Sequence, residues 1–493
     1  MSKIIVLGLD GFSPDLVRKW SSQLPNLAKM QQDGVWGDIR CTVPPTTAQA
    51  WTSVRCGRNP GVFGYWDSTY RDDFSYSEPK QADSEAADRV DLLQKMLPKM
   101  GQRVAIINVP VSWPPKKIPA GFCITGPDTP DLESGFTYPE SLAEEVKGLV
   151  GEYIIRVSEG GLICLQMEKD KLLKRVYEVD AQRFTLLKHF IREKRCDHVL
   201  AVIVGAERMA HNFYHFADET HKRHDPDPKY KNALLDYYKW IDKNVGEVRE
   251  SLLSDTILIV LSAYGSQRLD GRINLNEWLI QEGYMTLLEY PSKPTPLSEL
   301  KVDWPKTKAW STGSTGSLYL NVKGREAKGV VEADDYDKLL DELAAKLKDI
   351  PDENGKKLNT QVFKRDDIQF GPWVKYGPDM FIYFDECRFA TSELVGYGKG
   401  KIYSVDTPEG PDYATHSPYG YFCMAGSRIP AKGEITRISL LNIAPTVLDA
   451  IGLPIPREME RPSIMALAKE EKAAPPPPKV EDKVRSRLEA LGY

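Results

Sequence analysis

The chain has 493 residues and a formal net charge of −5, with 65 Lys and Arg against 70 Asp and Glu. That near balance gives no support for broad binding to nucleic acid or to an anionic membrane surface. No apolar run nears the ~18 residues of a membrane helix, and the seven cysteines contain no CxxC pair, which excludes a zinc ribbon and predicts reduced, buried thiols.

The length allows a large core, in one elaborated α/β domain or in two or three domains. Met1-Ser2-Lys3 passes directly into a strand pattern with no signal-peptide layout, which predicts a cytoplasmic protein. Residues 4–9 form a continuous apolar run, predicted as a buried parallel strand. The run ends in Asp10-Gly11. A turn, Pro44-Pro45-Thr46-Thr47-Ala48, and a second, Gly57-Arg58-Asn59-Pro60-Gly61, follow. A carboxylate ending a buried strand and a hydroxyl on a later turn are two parts of a metal-activated phosphate site. Ligands of open α/β sheets gather at the carboxyl ends of strands. Each piece also has a plainer reading, because Asp-Gly closes many strands and threonine beside proline is a common turn residue.

Residues 84–97 read as a helix, 104–108 as a strand, 175–194 as a helix and 199–204 as a strand. This alternation predicts an α/β fold with a doubly wound, mostly parallel sheet. Glu207 and His211 then fall four apart on one helix face. A carboxylate and an imidazole so placed make half of a divalent-metal site, although a turn with a capping glutamate fits the same letters. His215, His221 and His224 lie among many charges and are expected to be solvated. Residues 256–262 form a fourth buried strand. From residue 289 to 406 the chain is richer in Lys and Gly, with short strands at 318–322 and 381–384 and a helix at 335–348. This predicts an inserted α+β cap-like region. His416 stands alone in a loop flanked by Gly and Pro, where the plain reading is a histidine bonded to backbone. Residues 438–451 read as a helix. The resulting division is 1–288 for the first part of the core, 289–406 for the insertion, 407–466 for the last part of the core and 467–493 for the tail. In the tail, 473–478 is a proline-rich, extended linker. Residues 480–491 follow as a short amphipathic helix, a possible route to an oligomer.

Taken in order, these blocks resemble the type I phosphodiesterase/nucleotide pyrophosphatase branch of the alkaline phosphatase superfamily, from Lys3 to about Pro454. Connecting text resembles it too: Asn108-Val109-Pro110, Asn274-Leu275-Asn276-Glu277-Trp278-Leu279, Tyr319-Leu320-Asn321-Val322 and Gly377-Pro378-Asp379. The resemblance implies an alkaline phosphatase-like fold and two zinc ions that together clamp an in-line phosphoryl displacement. It implies that Thr47 is the nucleophile, activated by a metal, and that Asp10 shares that metal. Glu207, His211 and His416 fall on ligands of the other metal, with Glu207 where the family more often has Asp. Ser68 falls near an Asn that donates to a phosphate oxygen. The implied partner is a phosphorylated small molecule or a phosphodiester.

One departure matters most. The family reads Ser-Asp-His-Gly after the fourth strand, and this chain reads Ser262-Ala263-Tyr264-Gly265. Ala263 has no donor atom, and Tyr264 ligates only as a phenolate, whose ordinary pKa is near ~10. Counting Thr47, two of the four ligands of the nucleophile-side metal are missing; Gln267 and Asp270 are the nearby substitutes. Phe63 also stands where the family has His. One zinc site is therefore expected, with the second in doubt. The readings are a phosphodiesterase with impaired or altered chemistry, a pseudoenzyme holding a phosphorylated ligand or protein partner, or a different reaction using Tyr264 as proton donor or stacking surface. A sulfatase is excluded because Cys41-Thr42-Val43-Pro44-Pro45 lacks the required turn, and no GxxxxGK[ST] loop occurs. Cofactor-independent phosphoglycerate mutases share the superfamily core but need a serine nucleophile and two full metal sites.

Overall fold

The continuous apolar runs become the strands of one central sheet. The computed structural model describes residues 3–77, 79–158, 164–429 and 432–473. The strands are β1 (Lys3–Leu9), β2 (Gly34–Arg40), β3 (Val104–Val109), β4 (Phe122–Thr125), β5 (Thr137–Tyr138), β6 (His198–Ile203), β7 (Thr256–Leu261), β8 (Tyr419–Ala425), β9 (Gly433–Glu434) and β10 (Ile438–Ser439). Their spatial order is β9-β2-β8-β7-β1-β6-β3-β4-β5, with β10 also paired to β2. The five central strands β7-β1-β6-β3-β4 are mutually parallel; β8 and β5 run against their neighbours. The sheet is therefore mixed and mostly parallel, as the alternation predicted.

Both faces of this sheet are covered, which is why the runs are continuous rather than alternating. Ile5, Leu7 and Leu9 face one core with helices α2 (Lys169–Glu193) and α4 (Ala233–Glu250). Ile4 and Val6 face the other with α1 (Thr47–Cys56) and α6 (Ile443–Ala450). Helix α3 (Gly205–Ala217) lies between α2 and α4 in sequence and leads directly out of β6. No helix among the described residues is long and apolar enough to cross a membrane. All seven cysteines are free and buried.

Two helices differ from expectation. Residues 84–97 hold two helices, Ser84–Ala87 and Leu93–Lys99. Val90 and Leu92 are both buried, and a helix would send residues two apart to opposite faces. Residues 438–451 start as β10, where Ile438 pairs with Ile39, and become α-helical only at Ile443. A reciprocal Ser439–Asn442 capping box makes the change of direction.

Residues 309–383 build a four-stranded antiparallel sheet from Ala309–Thr312, Ser317–Leu320, Gln361–Lys364 and Met380–Tyr383, with α5 (Tyr336–Lys348) packed in the same apolar core. Its apolar core runs from Ile273 to Phe389 and so includes the helix Leu275–Gln281. Asp379 anchors it, fully buried and bonded to Arg325 at 2.7 Å, Arg365 at 2.9 Å and Tyr336 at 2.8 Å. Helix Ile464–Ala473 closes the described chain; linker residues 474–478 and the predicted helix at 480–491 lie outside the described residues.

Candidate functional site

Three neighbouring parallel strands end at one edge of the sheet, and each delivers a side chain there. β1 continues into Asp10, β6 turns into α3 with Glu207 and His211, and β7 continues into Tyr264. The turn at Asp10-Gly11 requires its glycine. Gly11 has φ +71°, and a Cβ there would lie 2.7 Å from the Glu207 Cβ. The backbone N–H of Glu207 donates to the Asp10 carbonyl at 3.1 Å, tying the two strand ends together.

Helix α1 starts at Thr47. Thr46 precedes it in extended conformation, and its hydroxyl donates to the Trp66 carbonyl at 2.6 Å. Of the two adjacent threonines, only Thr47 turns its hydroxyl to the site, where Oγ1 lies 2.6 Å from the Tyr264 hydroxyl. His416 arrives on a strand, Ala414–Ser417, that pairs with Gly265–Arg268. Asp10, Thr47, Glu207, His211, Tyr264 and His416 thus come together from six points in the chain.

Each histidine has its Nδ1 held by an acceptor. His416 Nδ1 donates to the Pro45 carbonyl at 2.7 Å, and its Nε2 lies 3.0 Å from Glu207 Oε1. Burial pushes the His416 imidazole below its ordinary pKa, opposed by the Pro45 bond. Its Nε2 therefore carries a lone pair, and the backbone-bonded reading holds for the other ring nitrogen only. His211 Nδ1 donates to Asp412 Oδ1 at 2.6 Å, while its buried Nε2 has no hydrogen-bond partner. An orphaned imidazole nitrogen backed by a carboxylate is the arrangement metal-binding histidines adopt. Burial raises the Asp412 carboxyl, but His211 and Arg272 outweigh it and hold Asp412 below the ordinary range. Donor atoms of Glu207, His211 and His416 all lie within 4.8 Å of one another. The nitrogen–oxygen donor set fits a zinc-class ion.

The nucleophile side does not fit a second ion. The Tyr264 hydroxyl is 3.0 Å from Asp10 Oδ2, 3.1 Å from Glu207 Oε1 and 2.6 Å from Thr47 Oγ1. It stands among the oxygens that a shared metal would need. Burial pushes the Tyr264 phenol well above its ordinary pKa, and the Asp10 carboxylate adds to this, so it is a neutral hydroxyl and no hard-cation ligand. Burial likewise raises the Asp10 carboxyl, against Arg208 and the Trp51 N–H, which donates to Oδ1 at 2.9 Å. The Tyr264 ring stacks on His416 with centroids 4.1 Å apart. The substitutes are held elsewhere: the Gln267 amide nitrogen donates to the carbonyls of Glu386 and His416, and Asp270 pairs with Arg268 and Arg388.

Other predicted residues fall elsewhere. Ser68 is exposed, and its N–H bonds Asp67 at 2.7 Å; among the described residues it has no bond to the cluster. Phe63 is fully buried against Tyr65 in a small apolar core. His215 and His221 are not solvated: they are 2% and 4% exposed. His215 sits one turn beyond His211 on the same helix face and stacks on Tyr413 at 3.4 Å. Burial and the nearby Lys169 push its pKa down to about 3. Sequence reasoning missed Asp412 and the support from Trp51. An acid four residues before His416 was the available signal for Asp412. Trp51, one turn into α1 from Thr47, offered none.

Comparisons with known proteins bear on the family and the fold. The model of the type I phosphodiesterase / nucleotide pyrophosphatase family matches residues 4–421. No curated protein matches the sequence significantly. Among solved structures, murine ectonucleotide pyrophosphatase/phosphodiesterase 5, as an inactive threonine-to-alanine variant in complex with AMP, superposes with a TM-score of 0.53 at 11% identity, over 95% of this chain and 100% of that one. The human protein gives 0.52 at 12% identity, over 94% and 99%. At such identities the likeness is one of fold.

Proposed function

Because the chain belongs to the type I phosphodiesterase/nucleotide pyrophosphatase family, we propose that it is a phosphodiester hydrolase of altered chemistry, working with Thr47 and a single cation. The observation that carries this reading is the pair of lone-pair nitrogens, His211 Nε2 and His416 Nε2, converging with Glu207 beside Thr47. Glu207, His211 and His416 would hold the ion, zinc by their donor set. When bound, an ion of this kind polarises a phosphoryl oxygen and offsets charge on a departing one.

The chain's own residues divide the remaining work. Thr47 supplies the attacking hydroxyl at the start of α1, whose N-terminal N–H groups favour an anion. Asp412 and the Pro45 carbonyl hold the two imidazoles in the ligating tautomer. Trp51 and Gly11 hold Asp10 at the strand end. The substrate class is a phosphorylated small molecule or phosphodiester. The AMP in the inactive murine relative supports that class, and its threonine substitution supports Thr47.

Metal analysis after exhaustive dialysis tests the reading. One zinc per chain is expected, and none in His211→Ala/His416→Ala. Two ions per chain would overturn the single-site reading. Release of nitrophenol from bis(p-nitrophenyl) phosphate is expected to vanish in Thr47→Ala. A second reading, a pseudoenzyme that binds a phosphorylated ligand or a protein partner without cleaving it, rests on the donorless Ala263 and on the Tyr264 hydroxyl that engages Thr47. AMP binding by calorimetry with no turnover of any diester selects that reading.

A further inference from the structure

An activated threonine needs somewhere to send its proton. In a site with two ions the nucleophile-side metal removes that need by stabilising the alkoxide. Here Ala263 and Tyr264 stand where the family resemblance implies an Asp and a His, and the Thr47 hydroxyl touches a phenol. We infer that Tyr264 is a catalytic proton relay, passing the Thr47 proton to Asp10 as Thr47 attacks phosphorus; this rests on the hydrolase reading above.

The direction follows from counting hydrogens. The Tyr264 hydroxyl carries one hydrogen and lies near three oxygens, of Thr47, Asp10 and Glu207. It donates to one carboxylate, so the Thr47 contact at 2.6 Å is one in which Thr47 donates. Glu207 is committed elsewhere: Arg208 pairs with Oε2, and Oε1 faces His416 Nε2 among the donor atoms that would hold the ion. Asp10 Oδ1 takes the Trp51 N–H, and among the described residues Oδ2 bonds to Tyr264 alone. Asp10 Oδ2 is therefore the open acceptor. The chain Thr47 Oγ1–H, Tyr264 Oη–H, Asp10 Oδ2 is continuous at 2.6 and 3.0 Å.

The step balances without a further reactant. The Thr47 Oγ1–phosphorus bond forms and the phosphorus–leaving-oxygen bond breaks. The Thr47 hydrogen moves to Tyr264 Oη, the Tyr264 hydrogen moves to Asp10 Oδ2, and an aryl leaving group departs as the aryl oxide. Water then attacks the phosphothreonine, Asp10 returns its proton through Tyr264 to Thr47, and the water's proton leaves to solvent. Tyr264 is held for this by its buried ring stacked on His416.

The test is nitrophenol release from bis(p-nitrophenyl) phosphate by the zinc-loaded wild type, Thr47→Ala and Tyr264→Phe, with a proton inventory in H2O–D2O mixtures on the wild type. Phenylalanine keeps the ring and removes only the hydroxyl. The expected result is at least ~100-fold slower release by Tyr264→Phe at unchanged zinc content, with a bowl-shaped inventory that reports two protons in motion. Tyr264→Phe as fast as wild type, or a linear inventory, overturns the relay and leaves the hydrolase reading standing. Wild-type release no faster than Thr47→Ala removes the hydrolase reading and the relay with it. The inventory needs no variant, so a misfolded Tyr264→Phe does not protect the proposal.

Discussion

Replacing Asp412 by asparagine removes one charge and keeps the side-chain shape. Asp412 Oδ1 accepts from His211 Nδ1 at 2.6 Å, Oδ2 pairs with Arg272, and the Ala414 N–H bonds Oδ1 at 3.3 Å. His211 and Asp412 are 5% and 2% exposed, so water cannot substitute for the lost bond. Both amide orientations are wrong. With its oxygen toward His211, the amide turns its NH2 group at the Arg272 guanidinium. With NH2 toward His211, it demands an Nδ1 acceptor, which puts the ring hydrogen on Nε2 and removes the lone pair that would bind a metal. Loss of a carboxylate behind a metal-bound histidine costs roughly 10–100-fold in affinity, or about 1.4–2.7 kcal/mol. With both orientations unfavourable, the upper half of that range is expected. Competition between apoprotein and a chromophoric chelator for zinc measures it, and the visible spectrum of the cobalt form reports the ligand set. A zinc Kd within twofold of wild type, in a variant that still melts cooperatively, refutes the assignment of His211 Nε2 as a ligand.

Three further outcomes concern the frame around the site. Asp379→Ala leaves Arg325 and Arg365 without their shared carboxylate and is expected to cost about 3–5 kcal/mol, read from urea unfolding, with zinc stoichiometry preserved in the folded fraction. His198 on β6 is 1% exposed, and burial pushes its pKa from 6.5 down to about 4. The unfolded chain takes up that proton below 6.5 and the folded chain only near 4, so stability rises with pH across this window. About 3 kcal/mol is lost as pH falls from 6.5 to 4. His198→Leu is expected to flatten that part of a urea-midpoint series, and an unchanged slope refutes it. Gly8→Ala puts a methyl 2.2 Å from the Trp51 ring. An expected loss of about 1–3 kcal/mol should come with weakened Asp10 anchoring, visible as altered tryptophan fluorescence.

How much was legible depends on range. The strands 4–9, 104–108, 199–204 and 256–262 were readable because burial on both faces writes itself as a continuous run, as the split of Ile4 and Val6 from Ile5 and Leu7 between two cores explains. Glu207 and His211 were readable because helical spacing alone brings them together. The 84–97 helix was misjudged because local propensity does not register two buried side chains, Val90 and Leu92, on incompatible faces. His215 and His221 were misjudged because neighbouring charges say nothing about the chain segment at Tyr413 that returns 192 residues after His221 to cover them.

The sequence by itself determined the fold class, the family resemblance and the identity of the groups at the strand ends, because those follow from patterns within a few residues of one another. It also located the change to Ala263-Tyr264. Tertiary structure alone decided what that change does. Asp412 behind His211, Trp51 behind Asp10, and a Tyr264 hydroxyl between Thr47 and Asp10 are contacts across 201, 41, 217 and 254 residues. Such contacts depend on which strands lie side by side, and only the packed sheet sets that order.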